Sequence, residues 1–368
     1  MSVQYIFIPD FSGGGAEKLF IKFAHFSKNS NRPIKILSLS RVGPYYDWCK
    51  KNNIEVVSLG LKKTSSKWLL FPIVLFRLIK LLSSGDRILS AVFFCNLVSA
   101  IASLFINIKL VASQHTVKSV KDIRNNRVIY FFIRLLTQFS FKHSSKVICV
   151  SDSVRNDLIE NYNIDKSKLV VINNAVAESV QNIGSLISLA ENPVNGSFNI
   201  LCVGRLINDK GFDLAIQSTA SLVHKGIDVH LDILGSGPEL NNLRAIVKEL
   251  KIESNVTFHG FSNNLSDFYS AANVVLIPSR LEGFGNVAVE ALCYSKPVVV
   301  SNCPGGLSEI VSSGLLGSVV DLSVESIVDG LMHWKYNNSL ESAKYRVDYS
   351  RRYLPEVLFL DYFSVLDD

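Results

Sequence analysis

At 368 residues the chain is too long for one hydrophobic core, and about two domains are expected. An apolar fraction of 48% with 19% charged residues excludes a disordered or low-complexity chain. Net charge is +6, yet residues 1–172 carry 25 Lys and Arg against 10 Asp and Glu, whereas 173–368 carry 13 against 22. This asymmetry predicts two domains with different partners, the basic one suited to an anionic surface such as a membrane. Nucleic acid is not indicated as a partner, because no recognised motif and no basic–aromatic alternation occurs. The 6 cysteines form no CxxC, so neither a zinc ribbon nor a disulfide framework is expected. Most sit in apolar runs as small hydrophobes, which fits a reducing cytoplasm. The start MSVQYIFIPDF lacks the basic and long apolar regions of a signal peptide.

In chain order, predicted strands at 4–9, 34–39 and 54–58 alternate with helical patterns such as 14–27. Gly13, Gly14 and Gly15 fall between the first strand and the first helix. There they either let a phosphate approach backbone N–H groups or merely make a tight turn. Segment 66–82 offers Ser66 as a cap, Pro72 near the first turn, and basic residues beside Trp, Leu, Ile and Phe. It reads equally as a helix lying in a lipid interface and as a core-packing helix of the basic domain. Residues 88–108 are uncharged and long enough to span a bilayer, but they read better as strand, helix and the approach to another strand. Strands are predicted at 88–93 and 108–113, with His115 directly after the second, where a structural and a catalytic histidine are both possible. Strands 146–150 and 168–172, separated by a helix over 152–161, complete this half. Residues 176–197 are poorly periodic and rich in Ser and Asn, and they predict a linker.

The second half repeats the rhythm with strands at 198–203, 229–234, 255–258, 273–277, 297–301 and 317–320. Two doubly wound parallel sheets are the expected fold class. After 198–203 comes VGRLINDKGF, with Arg205 and Lys210 between a strand and a helix. The pair is either a diphosphate clamp, a planar fork plus a point charge, or a solvated loop. After 273–277 comes EGFGNVAVEA, with Glu282 in a glycine loop and Glu290 in the following helix, whose start lies near Asn286. Glu290 suits a cis-diol such as ribose, since a carboxylate accepts from two hydroxyls; a turn-capping role is the alternative.

All four groups follow strand ends, where ligands bind in open α/β sheets. Over about 198–311 the segments VGRLINDKGFDLAI, LDILGSGPELNNL, VTFHGF, ANVVLIPSRLEGFGNVAVEAL and PVVVSNCPGGLSEIV occur in a recognisable order. Together they resemble the retaining family-4 glycosyltransferases of GT-B fold, of the bacterial surface-polysaccharide or O-antigen type. The first half matches through GGGAEK, His115, VICVSDSVRNDL and LVVINNAV. It departs at Asn173, Asn174 and Ala175, where the family commonly has IPNGV.

The resemblance implies an α/β GT-B enzyme with two Rossmann-like domains facing across a cleft. An acceptor domain would span 1–180 and a donor domain 190–345, with a C-terminal helix in 346–368 returning to the first domain. A nucleotide-sugar, a UDP-hexose or UDP-N-acetylhexosamine, would be the donor substrate. Arg205 and Lys210 would hold its diphosphate, Glu290 its ribose, and Gly235 with the loop after Phe258 its base. Glu282 and the backbone around Phe284, Gly285, Asn286 and Val287 would meet the sugar. His115, Gly14 and Gly15 would approach from the first domain. No cofactor is expected. The chain has no D-x-D, and the cationic pair would replace a divalent metal. The acceptor would be a glycan or a polyprenyl-diphosphate-linked saccharide, and the protein would sit peripherally at the inner face of the membrane. A nucleotide-sugar 2-epimerase of the same fold would need further carboxylates, and a non-catalytic scaffold would have lost part of this set.

Overall fold

In a computed structural model the chain is described over residues 3–61, 67–117, 119, 127–177, 196–262 and 264–368. Ser66 and most of the expected linker lie outside the described residues. The chain divides into one unit of Met1–Ala175 with Pro355–Asp368 and a second of Val176–Leu354.

The first unit is built on seven parallel strands: β1 (Gln4–Ile8), β2 (Lys35–Ser38), β3 (Val56–Ser58), β4 (Arg87–Ser90), β5 (Lys109–Gln114), β6 (Lys146–Cys149) and β7 (Leu169–Val171). Their order is β3-β2-β1-β4-β5-β6-β7. Interior positions such as Ile6, Phe7, Ile36, Leu37, Leu89 and Val111 are fully buried, as expected of parallel strands covered on both faces. Right-handed crossovers put helices Gly15–Asn29 and Tyr45–Lys51 on one face and Phe71–Leu81, Val92–Ala102, Arg127–Lys142 and Asp152–Tyr162 on the other. Segment 88–108 is accordingly strand, helix and loop, and among the described residues no helix is long and apolar enough to cross a membrane. The strand predicted over 88–93 stops at Ser90, because Val92 turns to φ 62° and opens the helix.

From Lys67 onward, segment 66–82 packs into the core through one side of its helix, as the core-packing reading foresaw. Pro72 sits in the first turn of Phe71–Leu81, and Val74 and Leu78 enter the core, while Trp68, Leu69, Ile73 and Phe76 stay exposed. All six cysteines are free and buried.

The second unit has six parallel strands: β8 (Phe198–Val203), β9 (Val229–Leu234), β10 (Val256–Gly260), β11 (Val274–Ile277), β12 (Val298–Ser301) and β13 (Gly317–Val320), ordered β10-β9-β8-β11-β12-β13. Its last helix, Leu340–Ser350, starts at a Ser339 capping box. It is tied down by the fully buried Arg346, which donates to the Ser295 carbonyl at 2.6 Å and the Leu315 carbonyl at 3.0 Å. The chain therefore leaves this unit at Leu354 rather than near 345. Pro355 then begins the helix Pro355–Asp367, where a missing N–H costs nothing. Phe359, Tyr362, Phe363 and Leu366 of this helix pack against Phe20, Phe23 and Ala24 of the first unit. Asp367 pairs with Arg32 at 2.5 Å and Arg87 at 2.7 Å.

Candidate active site

In the second sheet the chain order reverses between neighbouring β8 and β11: β8 leads outward to β9, and β11 leads the other way to β12. The loops leaving their carboxyl ends lie at this switch point, the position at which doubly wound sheets bind ligands. Those loops are 204–211 and 278–285, the two cation- and carboxylate-bearing segments singled out in the sequence. They run very close together. Gly211 has φ +66°, and a Cβ on it would strike the Pro278 carbonyl, so no other residue fits without displacing the second loop.

Arg280 locks the two loops in register. Its guanidinium takes Asp213 bidentately at 2.8 and 2.6 Å, and Nη1 also donates to the Asn208 carbonyl at 2.9 Å. The Arg280 backbone N–H donates to the Asp209 carbonyl at 2.7 Å. Within this frame Lys210 forms an ion pair with Glu282, whose Oε1 also accepts the Ser279 hydroxyl at 3.2 Å. Ser279 is itself held through its carbonyl by the Ser301 hydroxyl at the end of β12. Lys210 and Glu282 are mostly but not fully enclosed, at 25% and 13% side-chain exposure. An ammonium has three protons, and Lys210 can hold Glu282 and a phosphate oxygen together. Arg205, at the mouth of the first loop, is exposed.

Gly285 stands at φ +111° before the helix Asn286–Cys293, so Asn286 and Val287 are its first residues and Glu290 lies one turn inside. The Tyr269 hydroxyl donates to Glu290 Oε2 at 2.7 Å, and its ring stacks on Tyr294 with centroids 5.2 Å apart. Burial, with the Glu290 carboxylate beside it, raises the Tyr269 pKa well above its usual value, so the hydroxyl stays a donor. The Phe284 ring faces inward against Tyr353, leaving only its backbone for a ligand. Gly235 follows β9 and donates its N–H to the Gly260 carbonyl at 2.8 Å. Phe258 lies in β10, partly covered by the Arg244 guanidinium 5.8 Å from its centroid.

In the first unit the corresponding reversal lies between β1 and β4. Gly14 precedes and Gly15 begins the helix Gly15–Asn29 after β1. His115 follows β5, with Nε2 3.0 Å from the Ser113 hydroxyl. Because Ser113 gives its own proton to the Ser90 carbonyl at 2.9 Å, Nε2 carries the imidazole proton and Nδ1 is the acceptor. Burial lowers the His115 pKa to about 4, so the ring is neutral near pH 7. Among the described residues its buried Nδ1 has no hydrogen-bond partner.

Motif spacing led to Arg205, Lys210, Glu282 and Glu290, and the fold puts all four in the second unit. Arg280, Asp213 and Tyr269 were missed there. Arg280 and Asp213 are 67 residues apart in sequence, and Tyr269 is 21 from Glu290. Only the fold makes them neighbours. Among the described residues no group of three or more His, Cys, Asp or Glu could hold a metal ion.

Two parallel sheets, each with a reversal of strand order, define a protein with two Rossmann-like domains of GT-B architecture. Family models for glycosyltransferase family 4 and for glycosyl transferases group 1 match residues 14–179 and 187–353. The chain belongs to the family-4 glycosyltransferases. An uncharacterised glycosyltransferase of Haemophilus influenzae is 25% identical over 321 residues, 87% of this chain and 86% of the relative. The N-acetylgalactosamine-N,N'-diacetylbacillosaminyl-diphospho-undecaprenol 4-alpha-N-acetylgalactosaminyltransferase of Campylobacter jejuni is 31% identical over 253 residues, 67% of this chain and 66% of the relative. Among solved structures, Anabaena Alr3699/HepE in complex with UDP and glucose is similar with a TM-score of 0.82 at 20% identity, covering 100% of both chains.

Proposed function

We propose that the protein transfers a sugar with retention from a UDP-hexose or UDP-N-acetylhexosamine to a glycan or polyprenyl-diphosphate-linked saccharide, in building a cell-surface glycan. The observation that carries this reading is the Lys210–Glu282 pair, held in register by Arg280–Asp213 at the switch point of the second sheet. A UDP-bound neighbour and a relative that acts on a diphospho-undecaprenol saccharide support the choice of donor and acceptor.

In this reading an acceptor hydroxyl oxygen bonds to the sugar C1 as the bond from C1 to the diphosphate oxygen breaks. The hydroxyl proton passes to the departing phosphate. Arg205 and Lys210 take up the charge that develops on that leaving group, the role a divalent metal plays elsewhere. Glu290, oriented by Tyr269, binds the ribose hydroxyls, and Gly235 with the loop after Phe258 lines the base. Glu282 and the Phe284–Val287 backbone meet the sugar. Gly14 and Gly15 offer the start of a helix to an anionic group. A neutral His115 cannot serve as a cationic acid near pH 7. The protein works peripherally at the inner face of the membrane.

The test is incubation with a panel of UDP- and GDP-sugars and a synthetic polyprenyl-diphosphate saccharide, read by mass spectrometry. Expected is one added hexose or N-acetylhexosamine from one UDP-sugar. Conversion of a free UDP-sugar to its 2-epimer with no transfer would instead establish the epimerase reading.

A further inference from the structure

The helix Arg127–Lys142 presents apolar side chains on two opposite sides. Thr137, Ser140 and Phe141 are buried, yet Val128, Ile129, Phe131, Phe132, Leu135 and Leu136 are all exposed. At 100° per residue these six fall within an arc of about 160°, away from Thr137 and Phe141; only near the helix end does this arc meet the core, through the half-buried Phe139. A surface helix of a water-soluble domain carries polar residues there. Beyond the neighbouring helix Val92–Ala102, against which both pack, helix Phe71–Leu81 repeats the anomaly with Ile73 and Phe76, continued by Trp68 and Leu69. Leu69 is 84% exposed and Phe132 59%. Both helices lie on one face of the first sheet.

The charges around this apolar surface are of one sign. Neither 67–82 nor 128–142 contains an Asp or Glu, and their charged residues are Lys67, Arg77, Lys80, Arg134 and Lys142. A second copy docked on the same face would set the cations of these two segments against one another, with no acid among their described residues. The 16-residue helix is about 24 Å long, short of a hydrocarbon core of about 30 Å, so it does not span. An interface between acyl chains and anionic headgroups satisfies both the apolar stripe and the cations.

We propose that this face docks on an anionic phospholipid bilayer. Phe131, Phe132, Trp68 and Leu69 enter the boundary between headgroups and acyl chains, with Lys67, Lys80 and Lys142 at the phosphates. The inference deepens the proposed function and rests on it only for what the protein acts on at the membrane.

The experiment places a polarity-sensitive fluorophore on Phe132→Cys in the full chain; the native cysteines are all buried, which makes labelling selective. Vesicles of phosphatidylglycerol with phosphatidylcholine are compared with vesicles of phosphatidylcholine alone, and UDP is titrated into the same samples. Expected are a blue shift and co-sedimentation with the anionic vesicles, both reduced by high salt. Without the label, Phe131→Ser with Phe132→Ser should lower vesicle partitioning at least about tenfold while UDP affinity is kept. UDP binding with no shift on either vesicle overturns the docking and leaves the transferase reading intact. Vesicle binding without UDP binding upholds the docking and removes the transferase reading. A blue shift that needs no lipid and rises with protein concentration, with a dimer in sedimentation, assigns the face to a second copy and overturns the proposal.

Discussion

Glu282 and Glu290 look interchangeable in sequence, eight residues apart in one motif, but their surroundings separate them. Glu282 shares an ion pair with Lys210 and a hydrogen bond from Ser279, whereas Glu290 is held by a buried tyrosine. In the proposed mechanism Glu290 binds a part of the donor that does not change, so Glu290→Gln should raise KM and weaken UDP binding. Tyr269→Phe should do the same more mildly. Glu282→Gln should lower kcat more than UDP affinity. Reversal of that pattern in steady-state kinetics and UDP titration would exchange the two roles. His115 carries a second residue-scale prediction. Its folded pKa of about 4 lies below its ordinary 6.5, so the unfolded chain binds the extra proton between those values. Its contribution is complete above about pH 6.5 and is lost as pH falls toward 4, at most about 3 kcal/mol. Urea unfolding between pH 7 and 4 should show a steeper loss for the wild type than for His115→Asn. Parallel curves would mean that the ring is solvated.

At the scale of elements, Arg280 ties together two loops that leave strands distant in sequence. The pair with Asp213 is about three-quarters enclosed, with side-chain exposures of 25% and 27%. Arg280→Ala and Asp213→Ala should each lower kcat about tenfold or more by letting Lys210 and Glu282 drift. A double-mutant cycle should give a coupling of about 0.5–3 kcal/mol, and Arg280→Lys should rescue little because the fork geometry is lost. Additive losses would reduce the pair to a surface contact. The strands around these loops were legible in the sequence, since buried parallel strands read as short apolar runs such as ILCV and VVLI ended by Gly or Pro. Where a strand gives way to a helix without such punctuation, as at Ala91–Val92, the boundary was not legible. Nor was the register of the Arg280 loop, because side-chain pairing across 67 residues leaves no local pattern.

For the whole molecule, length and the change of charge sign implied two domains, the alternation of strands and helices implied that both are α/β, and the family resemblance put the expected donor chemistry in the second. Hydropathy did not reveal which apolar helices stay exposed. RVIYFFIRLLTQFSFK reads as a buried helix from its composition, and only packing on Val92–Ala102 decides which side meets solvent. The account of transfer also makes a claim about the whole enzyme, that side chains and not a divalent ion neutralise the diphosphate. Transfer should therefore persist in excess EDTA. Loss restored by Mg²⁺ or Mn²⁺ would require a metal-bridged pyrophosphate instead. The most direct measurement is calorimetric titration of UDP, in EDTA, into the wild type, Lys210→Ala and Arg205→Lys. The account predicts one site per chain, with affinity lowered at least about tenfold in Lys210→Ala and measurably in Arg205→Lys, and with unfolding midpoints unchanged. Equal affinity in all three proteins would contradict it.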